Sequence, residues 1–157
     1  EAYNLFSCSG ILYNHESPLR NENFVSKKIT MAIARIISKK QKKLTLGSIN
    51  SKRDWGYAGD YVEAMWKMLQ QKKPQDFVIG TGKMHSVKDF LNIAFRYVGL
   101  DYKKYIKFDK KFMRPKDKAV LQADFSKAKK KLNWQPKTNF KQLVHKMVDF
   151  DISKLKK

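Results

Sequence analysis

The sequence is poor in cysteine and in long apolar runs, and each shortage excludes a class of protein. Cys8 is the only cysteine among the 157 residues, so neither a disulfide framework nor a zinc site built from several cysteines can form. No stretch approaches the roughly 18 consecutive apolar residues of a membrane span. No signal-peptide pattern opens the sequence either. We therefore expect a cytoplasmic protein with no membrane partner.

Acidic residues are also scarce, with 14 Asp and Glu against 34 Lys and Arg and a net charge of +20. Such a charge makes nucleic-acid binding the first hypothesis to examine. Only five of these cations are Arg, the residue that binds phosphate and guanine bidentately. No RNP, KH or zinc-finger motif is present. The composition favours a lysine-rich solvated surface, including residues 127–131, and argues against a nucleic-acid partner.

Apolar residues recur at helical spacing in five segments. We predict helices over residues 24–40, 57–71, 86–99, 124–132 and from 139 onward, with Ser86, Asp124 and Asn139 as capping residues. In the helix at 57–71 we place Tyr61, Ala64, Met65, Met68 and Leu69 on one face. Trp55, Trp66 and Trp134 are predicted to pack internally.

Short apolar runs between these helices predict strands. They lie at residues 3–12, 44–47, 76–80, 105–108 and 119–121, with Cys8 buried in the first. Residues 14–18 are predicted to form a polar loop, because Pro18 argues against helix. Strands that alternate with helices indicate an α/β fold, although these strands do not complete a sheet. Because the sequence starts at Glu1 in strand-like residues, we expect a piece of a longer polypeptide.

Common cofactor and metal motifs are missing. The Gly80-Thr81-Gly82 turn lacks the third glycine of a dinucleotide fingerprint, and no Gly-Lys-Ser/Thr phosphate loop occurs. The three histidines are far apart in sequence, so no metal site is predicted.

Two motifs carry a resemblance to a known family. They are residues 10–18 (GILYNHESP) and 52–62 (KRDWGYAGDYV). With Arg114-Pro115 and residues 132–138 (LNWQPKT), in this order and spacing, they resemble the GDP-mannose 4,6-dehydratases, members of the extended short-chain dehydrogenase/reductases. The likeness runs over residues 2–152. It implies an α/β fold in which residues 1–157 are the C-terminal part: the last Rossmann-like elements with a smaller nucleotide-sugar-binding domain. The N-terminal cofactor-binding and catalytic part would be absent.

The resemblance also implies ligand-binding residues. NADP would contact His15 and Arg20, and GDP-mannose would contact Ser9, Lys28, Arg53, Arg114 and Asp117. Three of the five arginines lie at these positions. Ser9 stands where the family has Asn and Asp117 where it has Glu, and both are the shorter residue. From the residues alone, His15 could equally be an exposed loop histidine, Arg53 could pair with Asp54 or Asp60, and Arg114 could be a surface cation.

The implied activity is conversion of GDP-mannose to GDP-4-keto-6-deoxymannose and water by an enzyme that forms a homo-oligomer. The family's Tyr-x-x-x-Lys does not occur in this sequence, so the chain contains no catalytic residue and we expect the fragment alone to be inactive. Two alternatives stay open: a degenerate homologue that serves as a basic structural or RNA-associated subunit, and a free-standing nucleic-acid binder. We further expect that the missing half of the sheet leaves an apolar face exposed.

Overall fold

The structure, a computed structural model, describes Tyr3, residues 5–112 and residues 121–155. Five helices lie in the described residues: α1 (Val25–Ile37), α2 (Ala58–Leu69), α3 (Val87–Tyr97), α4 (Ser126–Leu132) and α5 (Phe140–Leu155). Seven strands accompany them: β1 (Gly10–Leu12), β2 (Asn14–Glu16), β3 (Leu44–Leu46), β4 (Lys52–Tyr57), β5 (Phe77–Ile79), β6 (Met84–Ser86) and β7 (Ile106–Phe108). Short 3₁₀ turns span Tyr102–Lys104 and Lys110–Phe112. The predicted α/β class is confirmed.

The strands form three small sheets. β4 lies at the centre of one, parallel to β2 and antiparallel to β6. β1 pairs in parallel with β5, and β3 pairs in parallel with β7. Because parallel neighbours need a crossover between them, residues far apart in sequence meet at these pairings.

The sheet β2–β4–β6 lies between two hydrophobic cores. The three-helix core contains the buried apolar residues of α1, α3 and α5 together with Leu44, Leu46, Trp55 and Tyr102. The strand core contains Tyr61, Ala64, Met68, Phe77, Ile79, Ala128, Leu132 and Trp134. Side chains alternate between the faces of a strand, and β4 is buried on both faces at residues 54–56.

Two predicted helix caps are present. The Ser86 hydroxyl accepts a hydrogen bond from the Asp89 N–H (3.0 Å), and the Asp89 carboxylate accepts one from the Ser86 N–H (2.8 Å). Before α5, the Gln142 N–H donates to the Asn139 side chain and the Asn139 N–H donates to the Gln142 side chain, both at 2.9 Å. Reciprocal bonds of this kind satisfy N–H groups that a helix start leaves without a partner.

Several predicted boundaries and burials are wrong. The strand predicted at residues 3–12 covers only Gly10–Leu12, and Cys8 lies outside it and is half-buried. Residues 14–16 form β2 instead of a loop, because they pair with residues 55–57. Residues 119–120 lie outside the described part, and Leu121 is not in a strand.

Helix α2 carries an exposed apolar stripe, which we define as Val62, Met65, Trp66 and Leu69. Trp66 is 61% exposed and Leu69 58%, so the internal packing predicted for Trp66 is wrong, whereas Trp55 and Trp134 are buried. Met65 and Leu69 likewise do not share the burial of Tyr61, Ala64 and Met68. A helix that is apolar nearly all round has no single face that spacing can identify. Among the described residues, no helix is long and apolar enough to cross a membrane.

Candidate functional site

His15 lies in β2 directly opposite Gly56 of β4. Gly56 leaves room for the ring of Tyr61, which a Cβ atom at residue 56 would approach to 2.4 Å. The Tyr61 ring lies 5.4 Å from the His15 ring. The His15 Nδ1 is 3.0 Å from the carbonyl oxygen of Tyr13, and because a carbonyl can only accept, Nδ1 carries the proton. In the uncharged tautomer with this proton, Nε2 is a hydrogen-bond acceptor.

The Tyr61 hydroxyl is buried without a hydrogen-bond partner in the described part of the chain. Burial, with the nearby charges of Asp54 and Asp60, raises the pKa of Tyr61 well above its usual value. Tyr61 therefore stays a neutral phenol, and what it contributes to this region is packing against His15.

Arg20 is held by the buried carboxylate of Glu16. The Arg20 Nε lies 3.2 Å from the Glu16 Oε2, and the guanidinium stacks 3.5 Å from the centre of the Phe24 ring. Ser26 at the start of α1 donates a 2.6 Å hydrogen bond to the same Oε2 atom. Burial raises the pKa of Glu16, while the bond from Ser26 and the charge of Arg20 oppose that rise. Arg20 is thus held by an ion pair with Glu16 and by stacking on Phe24, while its buried Nε has no hydrogen-bond partner in the described part of the chain.

Arg53 lies in β4, on the other face of the sheet from His15. The register places Arg53 opposite His85 of β6 and His15 opposite Gly56. Arg53 and Gly56 are three residues apart, so side-chain alternation directs Arg53 towards the three-helix core and His15 towards the strand core. The Arg53 Nη1 donates to the carbonyl oxygen of Lys52 at 2.7 Å.

The two carboxylates considered as partners for Arg53 are engaged with backbone donors. Asp54 accepts from the N–H groups of Thr81 (2.9 Å), Gly82 (2.8 Å) and Ala123 (3.2 Å), and from the Thr81 hydroxyl (2.6 Å). It is 0% exposed, and these bonds satisfy a charge that would otherwise be costly to bury. Asp54 ties the KRDWG motif to the loop after β5.

Asp60 connects α2 to the LNWQPKT motif in a similar way. Its carboxylate accepts from the N–H groups of Lys137 (3.0 Å) and Thr138 (2.8 Å), and its carbonyl oxygen accepts from the Trp134 indole (2.8 Å). Residues 52–62 and 132–138, two of the segments that carry the family resemblance, therefore meet in space.

The other predicted site residues occupy different surroundings. Ser9 precedes β1, where its N–H donates to the Asp76 carboxylate (2.7 Å) and its carbonyl oxygen accepts from the Phe77 N–H (3.0 Å). Lys28 is exposed on α1. Arg114 and Asp117 lie outside the described residues. The structure brings His15 and Arg20 together through Glu16 and places Arg53 across the sheet from them. The ligand-binding roles of all seven residues stay predictions.

Sequence reasoning missed Glu16, Lys27, Asp151 and His85. Glu16 could have been found, since it precedes Arg20 by four residues. Lys27 and Asp151 are 124 residues apart, and no local pattern links them. His85 lies against the ring of Phe140, with ring centres 3.9 Å apart. Burial there lowers the pKa of His85, although nearby Asp89 and Asp54 oppose that change. No group of three or more potential metal ligands lies together in the part of the chain that the structure describes.

Comparison with solved structures shows the fold. The chain superimposes on RMD from Pseudomonas aeruginosa complexed with NADPH with a TM-score of 0.85 and 18% identity, covering 94% of this chain and 48% of that one. For dTDP-glucose 4,6-dehydratase from Bacillus anthracis in complex with NAD, the TM-score is 0.79 at 19% identity, covering 95% and 45%. These likenesses identify the α/β fold of the extended short-chain dehydrogenase/reductases.

Sequence comparison is more specific. The chain is 54% identical to GDP-mannose 4,6 dehydratase 1 of Arabidopsis thaliana, over 100% of the chain and 44% of the relative. It is 44% identical to the GDP-mannose 4,6 dehydratase of Homo sapiens, over 97% and 45%. The chain therefore spans about half the length of the curated relatives that it matches. The profile of the family described as GDP-mannose 4,6 dehydratase matches residues 1–147, and the chain accordingly belongs to the GDP-mannose 4,6-dehydratase family.

Proposed function

We propose that this chain supplies the substrate-binding part of a GDP-mannose 4,6-dehydratase, which converts GDP-mannose to GDP-4-keto-6-deoxymannose and water. The family match over residues 1–147 carries the proposal. The sequence has no Tyr-x-x-x-Lys, so the reaction would need a segment that provides it. We expect the isolated chain to be inactive.

The residues around His15 suit a nicotinamide cofactor. The imidazole of His15 can form a hydrogen bond with a ribose hydroxyl through Nε2, and Arg20 adds a cation that can face a phosphate. When bound, NADP would take a hydride from C4 of the sugar and return it to C6. Within the proposal the role of His15 and Arg20 is to bind and orient this cofactor.

Arg53, Lys28 and Ser9 would act on the nucleotide sugar. Arg53 can contact two diphosphate oxygens at once, and the alternation of side chains along β4 places it on the other side of the sheet from His15. Lys28 would add charge, and Ser9 a hydroxyl. Arg114 and Asp117 would complete the set.

Three finer points belong to the same proposal. NADP rather than NAD is the proposed cofactor, and the complete enzyme is proposed to be a cytoplasmic homo-oligomer. All three rest on the family resemblance.

Arg53 provides the test. We would use a hybrid in which this chain replaces the matching 44% of the Arabidopsis relative. Arg53→Gln should raise the KM for GDP-mannose about 10- to 100-fold, the range expected when a hydrogen bond between charged groups is lost. The KM of the Arg53→Lys hybrid should lie between those of the unsubstituted and the Arg53→Gln hybrids, because lysine keeps the charge but not the bidentate geometry.

Arg35→Gln is the matched control. Arg35 is exposed on α1 and faces Glu22 at 3.8 Å, so its loss should leave the KM unchanged. Equal KM values for the Arg53→Gln and Arg35→Gln hybrids would refute the assignment of Arg53.

A further inference from the structure

The first two turns of α1 contain three polar side chains that are almost completely buried. Ser26 is 1% exposed, Lys27 6% and Thr30 0%. Lysine is rarely buried to this extent unless it is paired. The adjacent Lys28 is exposed, so of these two successive lysines one is buried and the other faces solvent.

Lys27 connects two parts of the molecule. Its ammonium group contacts the carboxylate of Asp151 on α5 and donates to the carbonyl oxygen of Pro18 at 2.7 Å. The other oxygen of Asp151 accepts from the Thr30 hydroxyl at 2.6 Å. Asp151 is itself 4% exposed, so the whole arrangement is shielded from water.

Pro18 lies within the segment that joins His15 to Arg20. α1 holds this segment at two points, since Lys27 reaches the Pro18 carbonyl and Ser26 reaches Glu16. Within the segment, the Arg20 N–H donates to the Ser17 carbonyl (3.0 Å) and the Leu19 N–H to the Ser17 hydroxyl (3.1 Å). The turn is therefore held by side chains of α1 and also by hydrogen bonds within residues 17–20.

Stability alone does not account for a buried Lys–Asp pair, because well-packed apolar residues of similar volume are often equally stabilising. A lysine has three N–H donors, which lets Lys27 pair with Asp151 and still direct one N–H at Pro18. An apolar replacement of the pair would keep the packing but lose that directed contact.

We propose that Lys27, oriented by Asp151, is a positioning residue for the segment that binds the nicotinamide cofactor. The inference rests on the proposed function. Lys27 acts on the cofactor only through the Pro18 carbonyl and the turn behind it, while Lys28, the next residue, faces the nucleotide sugar.

The decisive variant is Lys27→Met/Asp151→Leu, which removes both charges together and leaves no ion unpaired. After this change the Thr30 hydroxyl still has a hydrogen-bond acceptor, because it lies 3.2 Å from the backbone carbonyl oxygen of residue 27.

In the chain itself, hydrogen exchange at the Leu19 and Arg20 amides should accelerate about tenfold, as expected when a charged hydrogen bond that orders the turn is lost. The amides of α3 should be unaffected. In the hybrid, the Kd for NADP should rise about tenfold for the same reason, and the KM for GDP-mannose by less than about twofold.

Two single variants serve as controls. Lys154→Met removes an exposed lysine one turn after Asp151 and should change neither the exchange nor the Kd. Lys28→Met should raise the KM for GDP-mannose and leave the turn unchanged.

Wild-type exchange at Leu19 and Arg20 in the double variant would overturn the proposal, and so would accelerated exchange with an unchanged Kd for NADP. A hybrid that binds no NADP even with the natural sequence would instead refute the proposed function. The exchange measurement would then still decide whether Lys27 holds the turn.

Discussion

The two cores on either side of β2–β4–β6 differ in how completely they are covered. Three helices pack on one another around the three-helix core, and its central residues, such as Ile29, Phe90 and Leu143, are 0% exposed. Beside the strand core, the stripe on α2 and Ile11 of β1 remain exposed. Contiguous exposed apolar surface of this kind marks an interaction face.

Under the proposed function, the two sides of the sheet bind different ligands. The side with the three-helix core holds the proposed substrate residues Arg53 and Lys28. The open side holds Tyr61 and the face of His15, where the proposed cofactor would bind. We expect the completely buried residues of the three-helix core to contribute more to the stability of the chain than the exposed residues of the stripe.

The strongest test compares two leucines. Leu143→Ala in the three-helix core should lower the free energy of unfolding by about 2–5 kcal/mol, because it removes buried methyl groups and leaves a cavity. Leu69→Ala in the stripe should change it by less than about 0.5 kcal/mol. Urea unfolding of the chain measures both values. Equal losses would show that the two regions are covered alike.

A smaller effect compares two glycines. At Gly80, next to the strand core, a Cβ atom would lie 2.2 Å from the Cβ of Ala123, so Gly80→Ala should cost about 1–3 kcal/mol through overpacking. Gly99 lies two residues after the end of α3 with φ +73°, and a Cβ atom there would have no neighbouring atom within 4 Å. Gly99→Ala should therefore cost only the left-handed backbone strain, about 1 kcal/mol.

Thermal unfolding of the Gly80→Ala and Gly99→Ala variants measures which substitution lowers stability more. A larger loss of stability for Gly99→Ala than for Gly80→Ala would contradict the close contact between Gly80 and Ala123.

The smallest predicted effect is pH dependence at His85. Because burial lowers its pKa in the folded state, the unfolded chain binds more protons near the unfolded value of 6.5, and stability should fall as the pH drops below it. His85→Gln should lose less stability than the natural chain between pH 7 and pH 5, by under about 1 kcal/mol. Urea midpoints at several pH values measure this, and parallel curves for the two proteins would be inconsistent with a lowered pKa.

Local patterns in the sequence predicted the helices well and the sheet pairing poorly. Ile29, Ile33 and Ile36 recur at helical spacing, and Ser86 and Asp89 lie close enough to form a cap. β2 is three residues long and polar, and it is a strand only because β4, almost forty residues later, pairs with it. A three-residue strand carries no periodicity of its own.

Contacts between distant residues were also missed at the candidate site. Motif likeness selected His15, Arg20 and Arg53, whose roles stay predictions. It could not show that Glu16 orients Arg20, or that Lys27 meets Asp151 from the far end of the chain. Those contacts depend on tertiary packing, which spacing along the sequence does not encode.

Product analysis of the hybrid tests the central claim most directly. With GDP-mannose and NADP, mass spectrometry should show GDP-mannose losing one water to give the 4-keto-6-deoxy sugar nucleotide, while the isolated chain should leave GDP-mannose unchanged. A folded hybrid that binds NADP but neither binds GDP-mannose nor forms this product would contradict the proposal that this chain supplies the substrate-binding part of a dehydratase.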